Sequence, residues 1–397
     1  MDYYPEFSFH LHHKSQDSAA RSGVITTPHG GIPTPNFIFC ATKANLKAMP
    51  ISAIRATGAD IILSNTYHLM LQPGSETVAA HGGLQEFSRW RGPMLTDSGG
   101  FQIFSLGHGS VADEIKGRRA GRGNMLHGIT EKGARFRSYV DGSSIDLTPE
   151  KAIKVQRQLG ADLILVLDEC TPYHIPEQQT FDAMERSHRW AVRSLNAFQN
   201  GDTVGSAGLQ ALYGIVQGGV YPHMRKISAE FVAEQPFFGT AIGGCLGGST
   251  EEMYDVMAVT MKHLSRDHLR PIHLLGIGGV EDIFRGVSLG MDTFDCVYPT
   301  RMARHGGALM KGKRLNLRNA QHVLDSAPID THCDCVTCRE GYSRGYLHHL
   351  LKTKEVLAMT LISQHNVRFM VRLMQEIREA IRDQRLKDLA TEYGVAL

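Results

Sequence analysis

Short apolar runs alternate with stretches of helical period along most of this chain, and that alternation narrows the possible folds more than any other feature. The runs fall at 60–64, 93–96, 162–167, 213–216, 240–242, 273–275 and 293–294. Helical stretches at 149–159, 180–198, 224–234, 251–264 and 280–289 lie between several of them. A strand followed by a crossover helix and another parallel strand covers both faces of a sheet, so the repeat predicts a parallel α/β fold. Seven or eight such units favour a closed (β/α)8 TIM barrel over an open, doubly wound sheet. A chain of 397 residues has room for that barrel and for insertions.

The segments just after the strands are polar or rich in glycine: Asn65-Thr-Tyr-His68, Asp97-Ser-Gly-Gly-Phe-Gln102, Asp168-Glu-Cys170, Gln217-Gly-Gly219, Gly243-Gly244, Gly276 and Asp295-Cys296. One such residue often only caps the next helix. A polar residue after nearly every strand is the pattern of a site assembled at the C-terminal end of a barrel. Two of these residues, Asp97 and Asp295, are strand-end carboxylates without an evident structural duty. Two carboxylates facing one cavity suit glycosidic chemistry, in which one attacks the anomeric carbon and the other moves a proton. Gly276-Ile-Gly-Gly279 matches only part of a dinucleotide-binding loop, which weakens a redox reading.

Two regions break the alternation. Residues 107–147 are rich in glycine and charge, and the pattern around Asp141-Gly142 predicts a β-hairpin inserted in a barrel domain spanning 1–320. Residues 321–397 hold Cys333-Asp-Cys335-Val-Thr-Cys338 and a long amphipathic helix expected from about 354 to 393. Three thiols within six residues, with His365 presented from a helix, make a closed donor set for a structural Zn²⁺. His348 and His349 are rival fourth ligands. A disulfide would leave one thiol over, and nothing else indicates an oxidising compartment.

The N-terminus has neither a basic nor an apolar signal region, and no apolar run is long enough to span a bilayer, so the cytoplasm is the expected location. The net charge of +2 is uninformative, but its distribution is not. No acidic residue lies between Asp295 and Asp325, whereas Arg301, Arg304, Lys311, Lys313, Arg314 and Arg318 all do. A second basic run occupies 116–122. Together they favour a phosphate-rich partner.

The chain resembles the tRNA-guanine transglycosylases, or queuine tRNA-ribosyltransferases, over nearly its whole length. The resemblance rests on Asn65-Thr-Tyr-His-Leu69, Thr96-Asp-Ser-Gly-Gly-Phe-Gln102, Asp168-Glu-Cys-Thr171, Gly214-Ile-Val-Gln-Gly218, Gly276-Ile-Gly278, Phe294-Asp-Cys-Val297, Pro299-Thr-Arg301, the cysteine loop and Gln364-His-Asn366. It implies a (β/α)8 barrel with a structural zinc subdomain, and exchange of the wobble guanine in GUN anticodons (Asp, Asn, His and Tyr tRNAs) for a deazaguanine base. In that pattern Asp295 is the nucleophile and Asp97 the general acid/base. Asp168, Gln217 and the backbone at Gly244 read the base edge, Phe101 and Leu275 sandwich the ring, and Gly276 lines the pocket. Asn65 and His68 orient Asp97. Arg301 and Arg304 meet the anticodon loop, and His365 completes the zinc set with Cys333, Cys335 and Cys338. Tyr342 to Leu350 resembles a subunit-interface motif, which implies a homodimer.

The substrate loop departs from the common bacterial form. Gly247 stands where many bacterial members have valine, and Ser249 where they have glutamate. The missing valine side chain implies room for queuine, with its aminomethyl-deazaguanine precursor as the alternative incoming base. A non-catalytic tRNA-binding subunit is a rival reading, against which the joint retention of Asp97, Asp168, Gln217 and Asp295 argues.

Overall fold

The structure, a computed structural model, describes residues 3–103, 125–172, 174–201, 204–245, 247–264 and 269–397. Eight short parallel strands close into a barrel. In chain order they are β1 (Asn36–Cys40), β2 (Ile62–Ser64), β3 (Met94–Thr96), β4 (Leu163–Leu165), β5 (Ala211–Val216), β6 (Gly239–Ile242), β7 (Ile272–Leu274) and β8 (Thr293–Cys296). Neighbours in the barrel follow that same order. Nearly all strand residues are buried, which is why the runs read as continuous apolar segments and not as alternating ones.

Strand β1 is the one that the sequence pattern does not announce. Pro33-Thr34-Pro35 reads as a turn, and Asn-Phe-Ile-Phe-Cys is too short to stand out beside it. A three-stranded sheet of Ser8–Lys14, Arg21–Thr27 and Gly30–Thr34 is likewise unannounced by the pattern. Crossover helices include Pro149–Leu159, Glu177–Asn200, Pro222–Glu234, Thr250–Leu264 and Val280–Ser288. Pro149–Leu159 has clear boundaries in its sequence. The Thr148 hydroxyl accepts from the Lys151 N–H at 3.2 Å, Pro149 takes the first helical position, and Gly160 leaves the helix at φ +78°.

Between β3 and β4, Leu126–Thr130, Gly133–Arg137 and Ser144–Leu147 form an antiparallel sheet. Its second turn contains Gly142 at φ +76°, and Arg135 faces Asp146 across the ladder. The basic run at 116–122 lies outside the described residues. After β8 come Tyr298–Arg304, an antiparallel pair Gly307–Met310 and Lys313–Asn316, and then Arg344–Lys352. The expected single helix from 354 to 393 is two, Val356–Arg382 and Leu386–Glu392. The break falls where Gln384 turns left-handed at φ 56°, its side chain bonded to the Lys14 carbonyl and the Gln16 N–H.

The described residues of Met1–His10, Ile25–Gly31 and Ser64–Leu275 form one compact unit; those of Leu11–Val24, Ile32–Leu63 and Gly276–Leu397 form another. The first contains a polar hub at the foot of β3 and β4. Asp162, wholly buried, accepts from the Met94 N–H at 2.8 Å and the Gln85 amide at 3.2 Å, and lies 2.7 Å from His29 Nδ1. In the second, Arg21 grips buried Asp292 through two bonds of 3.0 and 2.6 Å, and Val356–Arg382 packs on β1 and on Tyr298–Arg304. Among the described residues no helix is long and apolar enough to cross a membrane.

The hydrogen bond to Asp162 raises the His29 pKa, outweighing the partial burial that lowers it. A raised imidazole pKa stabilises the fold fully below its unfolded value of about 6.5, and that stabilisation fades as pH rises through the folded value. Thermal unfolding of wild type and His29→Gln across that range should therefore show a stability difference that shrinks as pH rises. A constant difference would refute the coupling.

Candidate active site

In the first unit the groups collect at the C-terminal ends of β2 to β6. Asp97, just past β3, accepts from the Thr66 N–H at 2.8 Å, from Gln102 Nε2 at 3.0 Å and from the Asn65 amide. The Thr66 hydroxyl also bonds the Asp97 carbonyl. Three donors converging on one carboxylate fix its orientation. Asn65 thus donates to Asp97. His68 places Nδ1 3.1 Å from the Tyr139 hydroxyl, on the inserted sheet's side of the helix Thr66–Leu71. Gln102 and Thr66 do not stand out in the sequence, although Gln102 ends the Thr96–Gln102 motif.

Asp168, past β4, is 8% exposed and accepts from Gln217 Nε2 at 2.6 Å and Ser98 Oγ at 3.3 Å. Burial pushes its carboxyl up to about 6 against the lowering effect of those two bonds. Glycines make the close approach possible. A Cβ on Gly100 would lie 2.4 Å from Asp168 Oδ1, and one on Gly244, at φ +61°, would lie 2.5 Å from Gln217 Oε1. Beneath the loop, fully buried Arg225 bonds the Gly243 carbonyl at 2.7 Å, Cys245 Sγ at 3.3 Å and Thr260 Oγ1 at 2.8 Å. Phe101 is 47% exposed, which removes it from the core. Leu275 is half-buried at the end of β7, its N–H bonded to the Ile242 carbonyl.

The substrate loop runs from β6 into Thr250–Leu264. Glu252 curls back to accept from the Gly248 N–H at 2.6 Å, and its own N–H donates to Ser249 Oγ at 3.2 Å. A Cβ on Gly247 would meet Glu252 Oε2 at 2.6 Å. Glycine at 247 is thus matched to Glu252, a partner hidden from sequence reading because it lies in the helix and not in the loop.

In the second unit Asp295, inside β8 and 8% exposed, accepts at Oδ1 from the Gly276 N–H at 2.9 Å. Cys40 Sγ lies 3.6 Å from Oδ2. Burial, with the Asp295 charge adding to it, pushes the Cys296 thiol up to about 11, so this neighbour stays neutral. The following helix, Tyr298–Arg304, carries exposed Arg301 and half-buried Arg304. Burial and then the Arg301 charge lower the Arg304 pKa. Lys311, part of the same acid-free segment, is paired with Glu392 at 2.6 Å.

The ligand atoms of Cys333, Cys335, Cys338 and His365 all lie within 4.8 Å of one another. Cys335, Cys338 and His365 are buried and Cys333 is half-buried. Hydrogen bonds from Cys335 and Cys338 hold the Cys333 thiol far below its usual range, while the same crowding drives Cys338 up. Burial disfavours the His365 imidazolium, but bonds to Cys333 and Cys335 outweigh it and lift the ring to about 10. Such a cluster holds little negative charge unaided; a divalent cation lets all three sulfurs ionise, so the donors fit one. His365 Nε2 donates to the Leu309 carbonyl at 2.7 Å, leaving Nδ1 for a metal. The next residue, Asn366, bonds the carbonyls of Pro299 and Gly307 and the Leu309 N–H. His348 instead bonds the Leu317 carbonyl at 2.9 Å.

Fold and site together define a (β/α)8-barrel protein with a Cys₃His metal-ligand group. The family model for queuine tRNA-ribosyltransferase matches residues 16–395. A queuine tRNA-ribosyltransferase of Roseiflexus sp. (strain RS-1) is 46% identical over 397 residues, covering 97% of this chain and 98% of the relative. Those of Protochlamydia amoebophila (strain UWE25) and Chlamydia pneumoniae are each 44% identical, covering 96% and 94% of this chain and 97% and 98% of the relatives. The chain belongs to the queuine tRNA-ribosyltransferase family, whose members are pentosyltransferases.

Metal analysis of the purified protein should find about one divalent ion per chain. Cys338→Ser should lower both that content and the Tm; unchanged metal content in the variant would rule this ligand out.

Proposed function

We propose that the protein exchanges the wobble guanine of GUN-anticodon tRNAs for queuine by double displacement. Asp295 attacks the ribose C1′ as the C1′–N9 bond breaks, and guanine departs with a proton given by Asp97. The C1′–oxygen bond so formed is the covalent ribosyl-enzyme. Asp97 then takes the proton from the incoming base, whose nitrogen attacks C1′ and releases the Asp295 carboxylate. Two inversions retain the anomeric configuration, and no redox cofactor or nucleotide is consumed.

The observation that carries this reading is the carboxylate–amide pair of Asp168 and Gln217, held in contact at 2.6 Å and flanked by glycines. Asp168 accepts from the ring N–H and exocyclic amine of guanine, Gln217 and Gly244 meet the carbonyl side, and Phe101 and Leu275 enclose the ring. Gly276 holds Asp295 through its N–H. For the incoming base, glycine in place of valine at 247 favours the larger queuine over its aminomethyl precursor, with Glu252, whose Oε2 lies where a Cβ would stand, turning aside to admit it. Zn²⁺ is the ion that best suits three thiolates and an imidazole, as a fixed brace for the subdomain at 321–397 with no part in the exchange. Arg301 and Arg304 meet the anticodon loop, a homodimer provides a second tRNA-holding surface, and the reaction belongs in the cytoplasm.

Asp295→Asn should abolish the covalent tRNA adduct on denaturing gels and reduce kcat by about ten-thousandfold or more; a persisting adduct would exclude this nucleophile. Queuine should exceed the aminomethyl precursor in kcat/KM by about tenfold or more, and the reverse preference would overturn the choice of base. Because Asp168 protonates near pH 6, the KM for guanine should rise as pH falls through that value. A KM that is flat across it would remove Asp168 from base recognition.

A further inference from the structure

Asp295 receives help from a residue that none of the strand-end motifs contains. In the β8–β1 pairing, Asp295 stands opposite Ile38 and Cys296 opposite Phe39. Paired residues of parallel strands project to the same side, and so do residues two apart on one strand. Cys40 therefore shares the face of Ile38 and Asp295, one step nearer the C-terminal end of the barrel. Its Sγ stands 3.6 Å from Asp295 Oδ2, within reach of a thiol hydrogen bond, while the Gly276 N–H holds Oδ1 at 2.9 Å.

We infer that Cys40 is a positioning residue for Asp295, its thiol donating to Oδ2 so that the carboxylate is steered from both oxygens. The inference rests on Asp295 being the nucleophile. A carboxylate anchored at one oxygen can still swing about its Cβ–Cγ bond; a second donor removes that freedom before the substrate arrives. A thiol is a weak donor, so it can orient the anion without withdrawing much of its charge. Gly276 completes the arrangement: at φ +71°, with open space beyond its Cα, it is glycine for backbone conformation and not for crowding.

The test compares full-length wild type, Cys40→Ala, Cys40→Ser and Asp295→Asn. Two measurements are needed: single-turnover formation of the covalent tRNA adduct, and steady-state exchange of labelled guanine. Cys40→Ala should slow adduct formation by about threefold to tenfold, the worth of one weak hydrogen bond to a charged group, with KM for tRNA and guanine within about twofold of wild type. Cys40→Ser, which keeps a donor, should recover most of the rate. Wild-type adduct formation in Cys40→Ala would overturn the inference. So would equal damage in both variants with a raised KM, since that marks simple packing. An adduct that persists in Asp295→Asn would instead refute the nucleophile on which the inference stands.

Discussion

Closing eight parallel strands into a barrel commits their backbone N–H and C=O groups to lateral pairing and buries their side chains, so polar chemistry is pushed to the strand ends. The placement of the candidate base-pocket groups and of the two catalytic candidates obeys that constraint. Asp97, Asp168, Gln217 and Gly244 stand where strands give way to loops, and Asp295 lies in the last turn of pairing on β8. The three carboxylates are held there by donors, among them the Thr66 and Gln102 bonds to Asp97, the Gln217 bond to Asp168 and the Gly276 bond to Asp295. The strands supply position, and the residues immediately after them supply orientation.

Much of this was legible in the chain. The buried strands showed as apolar runs, the helices through their period and caps, and the strand-end groups by falling between the two. What escaped had physical reasons. Strand β1 follows Pro33 and Pro35, whose turn signal masks the short apolar run behind them. The left-handed Gln384 that divides the last helices depends on contacts with Lys14 and Gln16, more than 360 positions away in sequence. Cys40 acts through a tertiary contact made from a strand whose own pattern looks ordinary. Gly100 and Gly244 could be seen as glycines, but not as the space into which Asp168 and Gln217 fit.

The substrate loop illustrates how a side chain missing from one place is answered from another. With glycine at 247 and serine at 249, the loop has no carboxylate of its own, yet Glu252 reaches back from the first turn of the helix to bond the Gly248 N–H. Ser249 in turn receives the Glu252 N–H, a reciprocal arrangement of the kind that fixes helix entry. From below, Arg225 fixes the Gly243 carbonyl and Cys245. The loop is therefore gripped at both ends, and its small residues allow the fit without implying slack.

Asn366 has a further consequence. Wholly buried, it ties Pro299, Gly307 and Leu309 together, and it is the immediate neighbour of His365 on one turn of helix. The backbone that leads from Asp295 into the Arg301–Arg304 helix is thus joined to the sulfur cluster through two adjacent side chains. The cysteine loop and the arginine helix are therefore braced against one short piece of helix.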